Sequence, residues 1–179
     1  MGAWGRPLWI QKVPPRGAAR ALEELSDLFR VLMRENRDLV TLGDELALCR
    51  QYIALETLRL GDRLGVRWQT EGCPADARVP PLMLQPLLEN AVYHGVEPLA
   101  GNGEVRVSVQ RAGGDVVVEI DNPAPPRDGA SGHGSGNRMA LDNIRERLML
   151  FFDLEAQLEA GEQDGLYRVR IRFPYRVGA

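Results

Sequence analysis

The chain has 179 residues and a formal net charge of −3 at pH 7. This length suits one domain with at most a short appendage. Acidic and basic residues are mixed along the chain, which argues against a nucleic-acid-binding protein, since such proteins usually carry a basic patch. Two cysteines, Cys49 and Cys73, are too few for a disulfide framework and are typical of a reducing compartment. No run of about twenty apolar residues could span a membrane.

Residues 1–17 are rich in Pro, Gly and Trp and show no helical or strand period. We interpret them as a flexible leader, either native or left by cloning, because a signal peptide would have a longer apolar centre. From Ala18 to about Met33, apolar residues recur at three- and four-residue steps, which predicts a first amphipathic helix.

A second helix is predicted to begin after Thr41, whose hydroxyl can cap it with Asp44 as the capping partner. Glu45 and Arg50 lie off its apolar stripe and are expected in solvent. The two helices predict an antiparallel hairpin that packs on the following domain, on a second chain, or on both. The stripe of the second helix consists of Leu42, Leu46, Cys49, Ile53 and Leu60.

Residues 66–70 alternate like a strand, and the stretch 84–95, LQPLLENAVYHG, then has the apolar spacing of a core helix. Prolines precede this helix and Gly95 is placed to end it. Its polar residues Glu89, Asn90 and His94 leave two interpretations open. They are ordinary hydrogen-bonded surface groups, or the oxygens of Glu89 and Asn90 serve a hard cation such as Mg²⁺.

The remaining chain predicts a hairpin of strands at 104–111 and 115–120, a polar break at Asp121-Asn122-Pro123, and a glycine-rich loop over 127–137. A helix over 138–152 and two strands at 154–159 and 167–173 complete the chain. The helix is predicted to bury Met139, Ile144, Leu148, Phe151 and Phe152. The fold class is therefore α+β, with one mixed sheet covered on one face by helices.

Three features converge on one chemistry. Asn90 lies on a core helix, Asp121 follows a central strand, and the glycine-rich loop leads into a helix N-terminus that can cradle phosphate. Considered alone, Asp121 has the pattern of a residue that forms a turn, and the glycine-rich loop has the composition of a surface loop. Together they predict an ATP site with an adenine acceptor, a Mg²⁺ ligand and a phosphate cradle.

These motifs resemble those of the GHKL, or Bergerat-fold, ATPases, and within them the LytS-type sensor histidine kinases of the AlgZ-like branch. LQPLLENAVYHG resembles the N box, Asp121-Asn122-Pro123 the first glycine box, and residues 132–148 the second glycine box with its helix. The resemblance covers about residues 18–175. It implies a Bergerat α/β sandwich with a mostly antiparallel sheet, a helical linker and partial dimerisation region at 18–62, and an ATP-binding catalytic domain at 63–179.

The resemblance also implies roles for single residues. Asn90 would hold Mg²⁺ between the ATP phosphates, with Glu89 beside it as a catalytic residue, and Asp121 would accept a hydrogen bond from the adenine amino group. His94 would lie near the ribose and phosphates, and Leu141 and Met139 would wall the base. The implied nucleotide-binding positions are Asn90, His94, Asp121, Asn122, Gly134, Gly136, Asn137, Arg138, Met139 and Leu141.

Several positions depart from the family pattern. Tyr93 stands where many relatives have a Lys that can meet a phosphate, and Arg138 stands where a glycine is usual. We hypothesise that Arg138 replaces the missing Lys. In hydrolysing relatives the general-base Glu lies four residues before the Asn, and here that position is Pro86. Glu89 is therefore predicted to be a phosphate-side or Mg²⁺-water ligand, and ATP hydrolysis to water is not expected.

The family's phosphate-accepting His precedes the linker helix, but the only histidines here are His94 and His133. The resemblance therefore implies a fragment, or a natural variant, that does not phosphorylate itself. Its partner would be a response regulator, reached through an acceptor His upstream. The hairpin would allow a homodimer, and the domain would be cytoplasmic, with any membrane anchor in other segments.

Two alternatives remain. The first is a nucleotide-binding interaction module without phosphotransfer, and the second is a GHKL ATPase of the mismatch-repair or chaperone kind. The position of Glu89 argues against the second alternative.

Overall fold

A computed structural model describes residues 39–124 and 134–178, with side chains from residue 139 onward in the second range. The predictions for residues 1–17 and for the first helix lie outside the described residues. The helices are α1 (Leu42–Leu60), α2 (Gln85–Asn90, continued by a π-helical turn over Ala91–Val96) and α3 (Gly134–Phe152). The strands are β1 (Val40–Thr41), β2 (Leu64–Gln69), β3 (Arg78–Val79), β4 (Gly103–Ala112), β5 (Asp115–Pro123), β6 (Gln157–Gln163) and β7 (Leu166–Pro174).

Helix α1 begins as its sequence predicts. The Thr41 hydroxyl accepts a hydrogen bond from the Asp44 backbone N–H at 3.1 Å, which satisfies one of the free donors of the first turn. Leu42, Leu46, Cys49 and Ile53 are buried in the same core as α2 and the sheet, so this stripe packs on the domain that follows it. Short 3-10 turns at Gly61–Arg63 and Asp153–Glu155 follow α1 and α3.

The main sheet has five strands in the order β2-β4-β5-β7-β6. Strands β2 and β4 are parallel, and every other neighbouring pair is antiparallel. A separate small ribbon pairs β1 with β3. The predicted α+β class with one mixed, mostly antiparallel sheet is confirmed.

The two faces of the sheet differ because successive side chains of a strand point to opposite sides. The inner face packs against the helices, and its rows include Val107 beside Ile120 and Ile120 beside Val169. The outer face carries ion pairs between β5 and β7. These pairs are Asp115–Arg172, Glu119–Arg170 and Asp121–Arg168.

Three local predictions are wrong. Glu45, expected in solvent, is only 3% exposed, and Met139, expected in the core, is 65% exposed. The polar break after residue 120 does not occur, because Asp121, Asn122 and Pro123 continue β5 in register with β7. A strand paired on both sides supplies partners for polar residues that would otherwise end it.

Candidate functional site

Helix α2 carries the polar residues of the site on an otherwise buried element. Leu87, Leu88, Ala91 and Val92 lie in the core, and Pro86 is tolerated because it falls in the first turn, where backbone N–H groups have no helical partner. The Glu89, Asn90 and His94 side chains are partly buried. The helix is thus fixed by its apolar face and offers its polar residues at the rim of the core.

The second half of α2 is wider than an α-helix. Ala91–Val96 form a π-helical turn, and the Glu97 N–H donates to the Val92 carbonyl at 2.9 Å, an i→i+5 hydrogen bond. Single π turns within α-helices are frequent at functional sites. This turn extends the helix past Gly95, which the sequence predicted to be its end.

Gly95 brings the backbone of α2 directly onto β5. A Cβ atom at this position would lie 2.3 Å from Asn122 Nδ2 and 2.8 Å from Asn122 Cγ, so only glycine fits without displacement. The Asn122 Nδ2 donates to the Pro123 carbonyl at 2.7 Å, and the Asn122 residue is 5% exposed. Asn122 therefore lies on the helix-covered face of the sheet, beside the end of α2.

Asp121 lies on the opposite face. Its carboxylate accepts two hydrogen bonds from Arg168, Nε to Oδ1 at 2.7 Å and Nη2 to Oδ2 at 2.8 Å. The residue opposite it on β4 is a second arginine, Arg106. These hydrogen bonds, and the charge of Asp121, raise the pKa of Arg168. The adenine-binding role of Asp121 stays a prediction.

The groups around Asn90 have local partners. The Glu89 Oε1 accepts from Gln85 Nε2 at 2.9 Å, which places this carboxylate along the helix. The Tyr93 and His94 rings meet edge to face with centroids 4.9 Å apart, and Tyr93 is 47% exposed. Tyr93 thus presents an uncharged, accessible ring where a phosphate-binding Lys would be expected.

The donor set near Asn90 fits Mg²⁺ only when phosphates share it. No group of three His, Cys, Asp or Glu side chains within residues 39–124 and 139–178 could hold a metal ion alone. Asn90 and Glu89 supply hard oxygen atoms, which suit Mg²⁺ that is otherwise bound by phosphates and water. Binding of Mg²⁺ at Asn90 remains a prediction.

Helix α3 begins earlier in the chain than predicted. Gly134, Gly136, Asn137 and Arg138 belong to the first turns of α3, which begins at Gly134. The side chains of Asn137 and Arg138 lie outside the described residues. Leu141 is buried at 5% exposure. The predicted role of Leu141 in lining the adenine pocket remains a prediction.

The sequence did not predict the contacts of Glu45 and Arg147 with the loop before α2, which we call the brace. The Glu45 carboxylate of α1 accepts from the backbone N–H groups of Leu82 (2.5 Å) and Leu84 (3.0 Å). Arg147 of α3 donates to the Pro81 carbonyl at 2.5 Å. Burial raises the pKa of Glu45, while the hydrogen bonds from the loop oppose that rise.

The signal for this brace was present in the sequence. Glu45 lies three residues after Leu42 and four before Cys49, which is the spacing of core positions. A charged residue at a core position indicates a buried partner, but the partners here are backbone N–H groups in a loop, which the sequence does not reveal.

Among the residues that the structure describes, three helices lie on one face of a mixed five-stranded sheet, with an Asn-bearing helix packed on a central strand, and this is the fold of GHKL ATP-binding domains. The family model for histidine kinases matches residues 8–64. The chain is similar to sensor histidine kinase YesM of Bacillus subtilis (30% identity, over 80% of this chain and 25% of the relative). It is also similar to sensor histidine kinase BtsS of Escherichia coli K12 (31%, over 89% of this chain and 28% of the relative).

The sensor protein LytS of Oceanobacillus iheyensis is 25% identical over 93% of this chain and 31% of its own length. Among solved structures, the catalytic domain of histidine kinase ThkA superposes with a TM-score of 0.57 at 14% identity, covering 76% of this chain and 94% of that one. The cytoplasmic segment of histidine kinase QseC gives 0.53 at 16%, covering 89% and 96%. These two show the fold.

The chain belongs to the sensor histidine kinase family. It spans about a quarter to a third of the length of these curated relatives. Within the residues that the structure describes, no helix is both long and apolar enough to cross a membrane.

Proposed function

We propose that this chain is the Mg-ATP-binding catalytic domain of a two-component sensor histidine kinase. It would transfer the γ-phosphoryl group of ATP to a His on an upstream helix, for relay to a response regulator. The observation that carries the proposal is α2, a buried helix that presents Asn90 at its rim and packs through Gly95 onto β5. The family of the chain, and the name sensor histidine kinase borne by its relatives, support this assignment.

Each residue has a defined task in this proposal. The Asn90 amide oxygen would hold Mg²⁺ against the phosphates. Glu89 would bind a water molecule of the Mg²⁺ ion or lie beside the phosphates. Mg²⁺ supplies charge neutralisation on the transferring phosphoryl group when it is bound. His94 would contact the ribose and phosphate side, and Arg138 would supply the cation that Tyr93 lacks. The backbone N–H groups at the start of α3, from Gly134 through Gly136 and Asn137, would contact phosphate oxygens.

Calorimetric titration with Mg-ADP tests the nucleotide site. Wild-type protein should bind Mg-ADP, and Asn90→Ala should weaken binding in Mg²⁺ about tenfold or more, because a charge-assisted contact is lost. Asn102→Ala is the matched control, since Asn102 lies exposed in the loop before β4. Equal affinities of the Asn90 and Asn102 variants would overturn the role of Asn90.

The cation hypothesis has its own test. Arg138→Ala should weaken ATP binding more than ADP binding if Arg138 reaches the γ-phosphate, and Arg138→Lys should restore part of the loss, because Lys keeps the charge without the planar fork. Unchanged nucleotide affinity and turnover in both variants would remove Arg138 from the site.

Phosphotransfer separates the kinase from a binding module. With labelled ATP and Mg²⁺ the chain alone should stay unlabelled, since its two histidines, His94 and His133, lie in the N box and the second glycine box. Addition of a separate acceptor-His helix from a related kinase should produce acid-labile label on that helix. Nucleotide binding without any transfer would favour the second candidate, a regulatory module, which the altered glycine boxes also support.

A further inference from the structure

A group of exposed apolar side chains lies at the end of α3. Met149 is 60% exposed, Leu150 is 74% exposed and Leu154 is 81% exposed. Single exposed apolar residues are normal on a protein surface, but a contiguous group of them marks a surface that binds something. We call these three residues the α3 patch.

The geometry of the helix end explains why these side chains face solvent together. Leu148 and Phe152 belong to the buried stripe of α3, and Leu150, midway between them and about half a turn away from each, points to the opposite side. Asp153 follows the helix with a left-handed backbone, at a φ of 53°. After such an ending, the next side chain contacts the last turn of the helix, so we expect Leu154 to adjoin the other two patch residues.

The rim of the α3 patch is acidic. Glu146 precedes Met149 and Leu150 at the three- and four-residue spacing that shares one side of a helix, and Asp153 is the neighbour of Leu154. Both rim carboxylates are exposed. Within residues 39–124 and 139–178, neither of them pairs with a basic side chain.

The arginines on the same elements do not neutralise this rim. Arg145 pairs with Asp142 at 2.8 Å, and Arg176 pairs with Glu155 at 3.0 Å. Each of these cations is thus matched by an acidic residue outside the rim. The α3 patch therefore combines an uncovered apolar centre with two negative charges that have no counter-charge of their own.

The charges discriminate between the possible occupants of the patch. A second copy bound through the same surface would bring the Glu146 and Asp153 carboxylates of both copies together, and like charges across an interface oppose binding. A lipid surface with anionic headgroups would be repelled for the same reason. A helix with an apolar stripe flanked by lysines or arginines would cover the apolar centre and pair with both carboxylates.

We propose that the α3 patch binds a basic amphipathic helix of a partner protein. The apolar stripe of the partner would pack on Met149, Leu150 and Leu154, and its cations would pair with Glu146 and Asp153. Leu150 lies about 20 Å along the helix axis from Gly136, near which the phosphates of a nucleotide are proposed to bind. The partner would therefore occupy a surface distinct from the nucleotide site.

Fluorescence anisotropy with a labelled synthetic peptide tests this proposal. The probe is a helical peptide with leucines on one face and lysines beside them, and its matched control carries glutamates in place of the lysines. Wild-type protein should bind the lysine peptide with a micromolar dissociation constant, at least about tenfold more tightly than the glutamate peptide. Added salt should weaken this binding, because the rim charges are exposed.

Variants locate the binding on the protein. The double variant Leu150→Gln, Leu154→Gln should bind the lysine peptide at least about tenfold more weakly, because the apolar contact is lost. Leu58→Gln is the matched control, since Leu58 is 84% exposed on α1, and its affinity should stay within about twofold of wild type. Glu146→Lys should weaken binding and reduce the salt dependence while it leaves the apolar centre intact. All the substituted side chains are exposed, so the variants should fold as the wild type does.

Several outcomes would overturn the proposal. Equal binding of the two peptides would exclude the role of the acidic rim, and an equal loss of binding in the Leu58 variant and the double variant would exclude the α3 patch. Self-association of the wild type in sedimentation that the double variant abolishes would make a second copy the occupant. Adsorption to phosphatidylcholine vesicles that the double variant abolishes would make a bilayer the occupant. The titration with Mg-ADP tests the proposed function separately from all of these results.

Discussion

The two ends of α2 are held by different means. At its start, charged side chains from α1 and α3 bind the backbone of the preceding loop: Glu45 accepts from Leu82 and Leu84, and Arg147 donates to Pro81. At its end, the fit is steric, because the Gly95 backbone contacts Asn122. The first arrangement fixes where the helix begins, and the second fixes how close it comes to the strand that would contact a nucleotide.

This difference separates stability from binding. Removal of the brace at the start should destabilise the domain and change nucleotide affinity little in the molecules that remain folded. A change at Gly95 should affect both, because it would push α2, the helix that carries Asn90, away from β5. The following predictions test this separation, from the largest expected effect to the smallest.

Glu45→Ala should lower the free energy of unfolding by about 2–4 kcal/mol, because two buried backbone N–H groups lose their acceptor. Urea denaturation measures the loss. Glu71→Ala is the matched control, since Glu71 is exposed in the turn after β2 and its loss should change stability by less than about 0.5 kcal/mol. A similar small effect for Glu45→Ala would mean that the brace contributes nothing to stability.

Gly95→Ala should cost about 1–3 kcal/mol, the usual penalty for overpacking, and should also weaken Mg-ADP binding as α2 is pushed away from β5. Gly101→Ala provides the control, because a Cβ there meets no atom within 4 Å. Denaturation and calorimetry are needed together. If Gly95→Ala matched Gly101→Ala in both, the close approach of α2 to β5 would be excluded.

Arg59 extends the restraint at the end of α2 and should contribute about 1 kcal/mol. Its guanidinium pairs with Glu97, just after the π turn, at 3.0 Å, and with Glu56 at 2.6 Å. A double-mutant cycle of Arg59→Ala with Glu97→Ala measures the coupling energy. The pair Arg67–Glu104, exposed on the outer face, should couple by only a few tenths of a kcal/mol. Equal coupling in the two cycles would contradict a special role for Arg59.

The smallest effect is a pH dependence at the brace. Burial raises the pKa of Glu45 above its ordinary value of 4.5, so the folded state holds this proton more tightly than the unfolded state. Its contribution is therefore fully present below 4.5 and is lost as pH rises through the folded pKa.

The difference in unfolding free energy between wild type and Glu45→Gln should decline as the pH rises above the ordinary carboxyl pKa of 4.5. The mutant comparison removes the titration of all other groups. A difference that stays constant or grows with pH would show that the folded pKa of Glu45 is not raised.

Much of the fold could be predicted from periodicity. The apolar spacing of α1 and α2 and the alternation of β4 and β7 correspond to buried faces, and the capping of α1 by Thr41 follows from its sequence. These features depend on residues close in sequence, for which spacing determines the face. The mixed sheet followed from the order of elements.

The errors have a different origin. Glu45 and Asp121 were each assigned from a local rule, but partners distant in sequence determine their environments. Leu82 and Leu84 donate to Glu45, and Arg168 binds Asp121. Met139 lies near the start of α3 and is exposed, whereas Leu141, Ile144 and Leu148 further along the helix are buried. Spacing alone does not say how far a helix overlaps the core.

The alternation of β5 has an evolutionary consequence. Asp121 and Arg168 form one pair on the outer face, while Gly95 and Asn122 form another beneath α2. Among relatives, we expect substitutions to be correlated within each pair and independent between the pairs, because each pair shares a contact that the other lacks. An alignment of sensor histidine kinases of this family in which position 121 varied with position 95 would contradict this expectation.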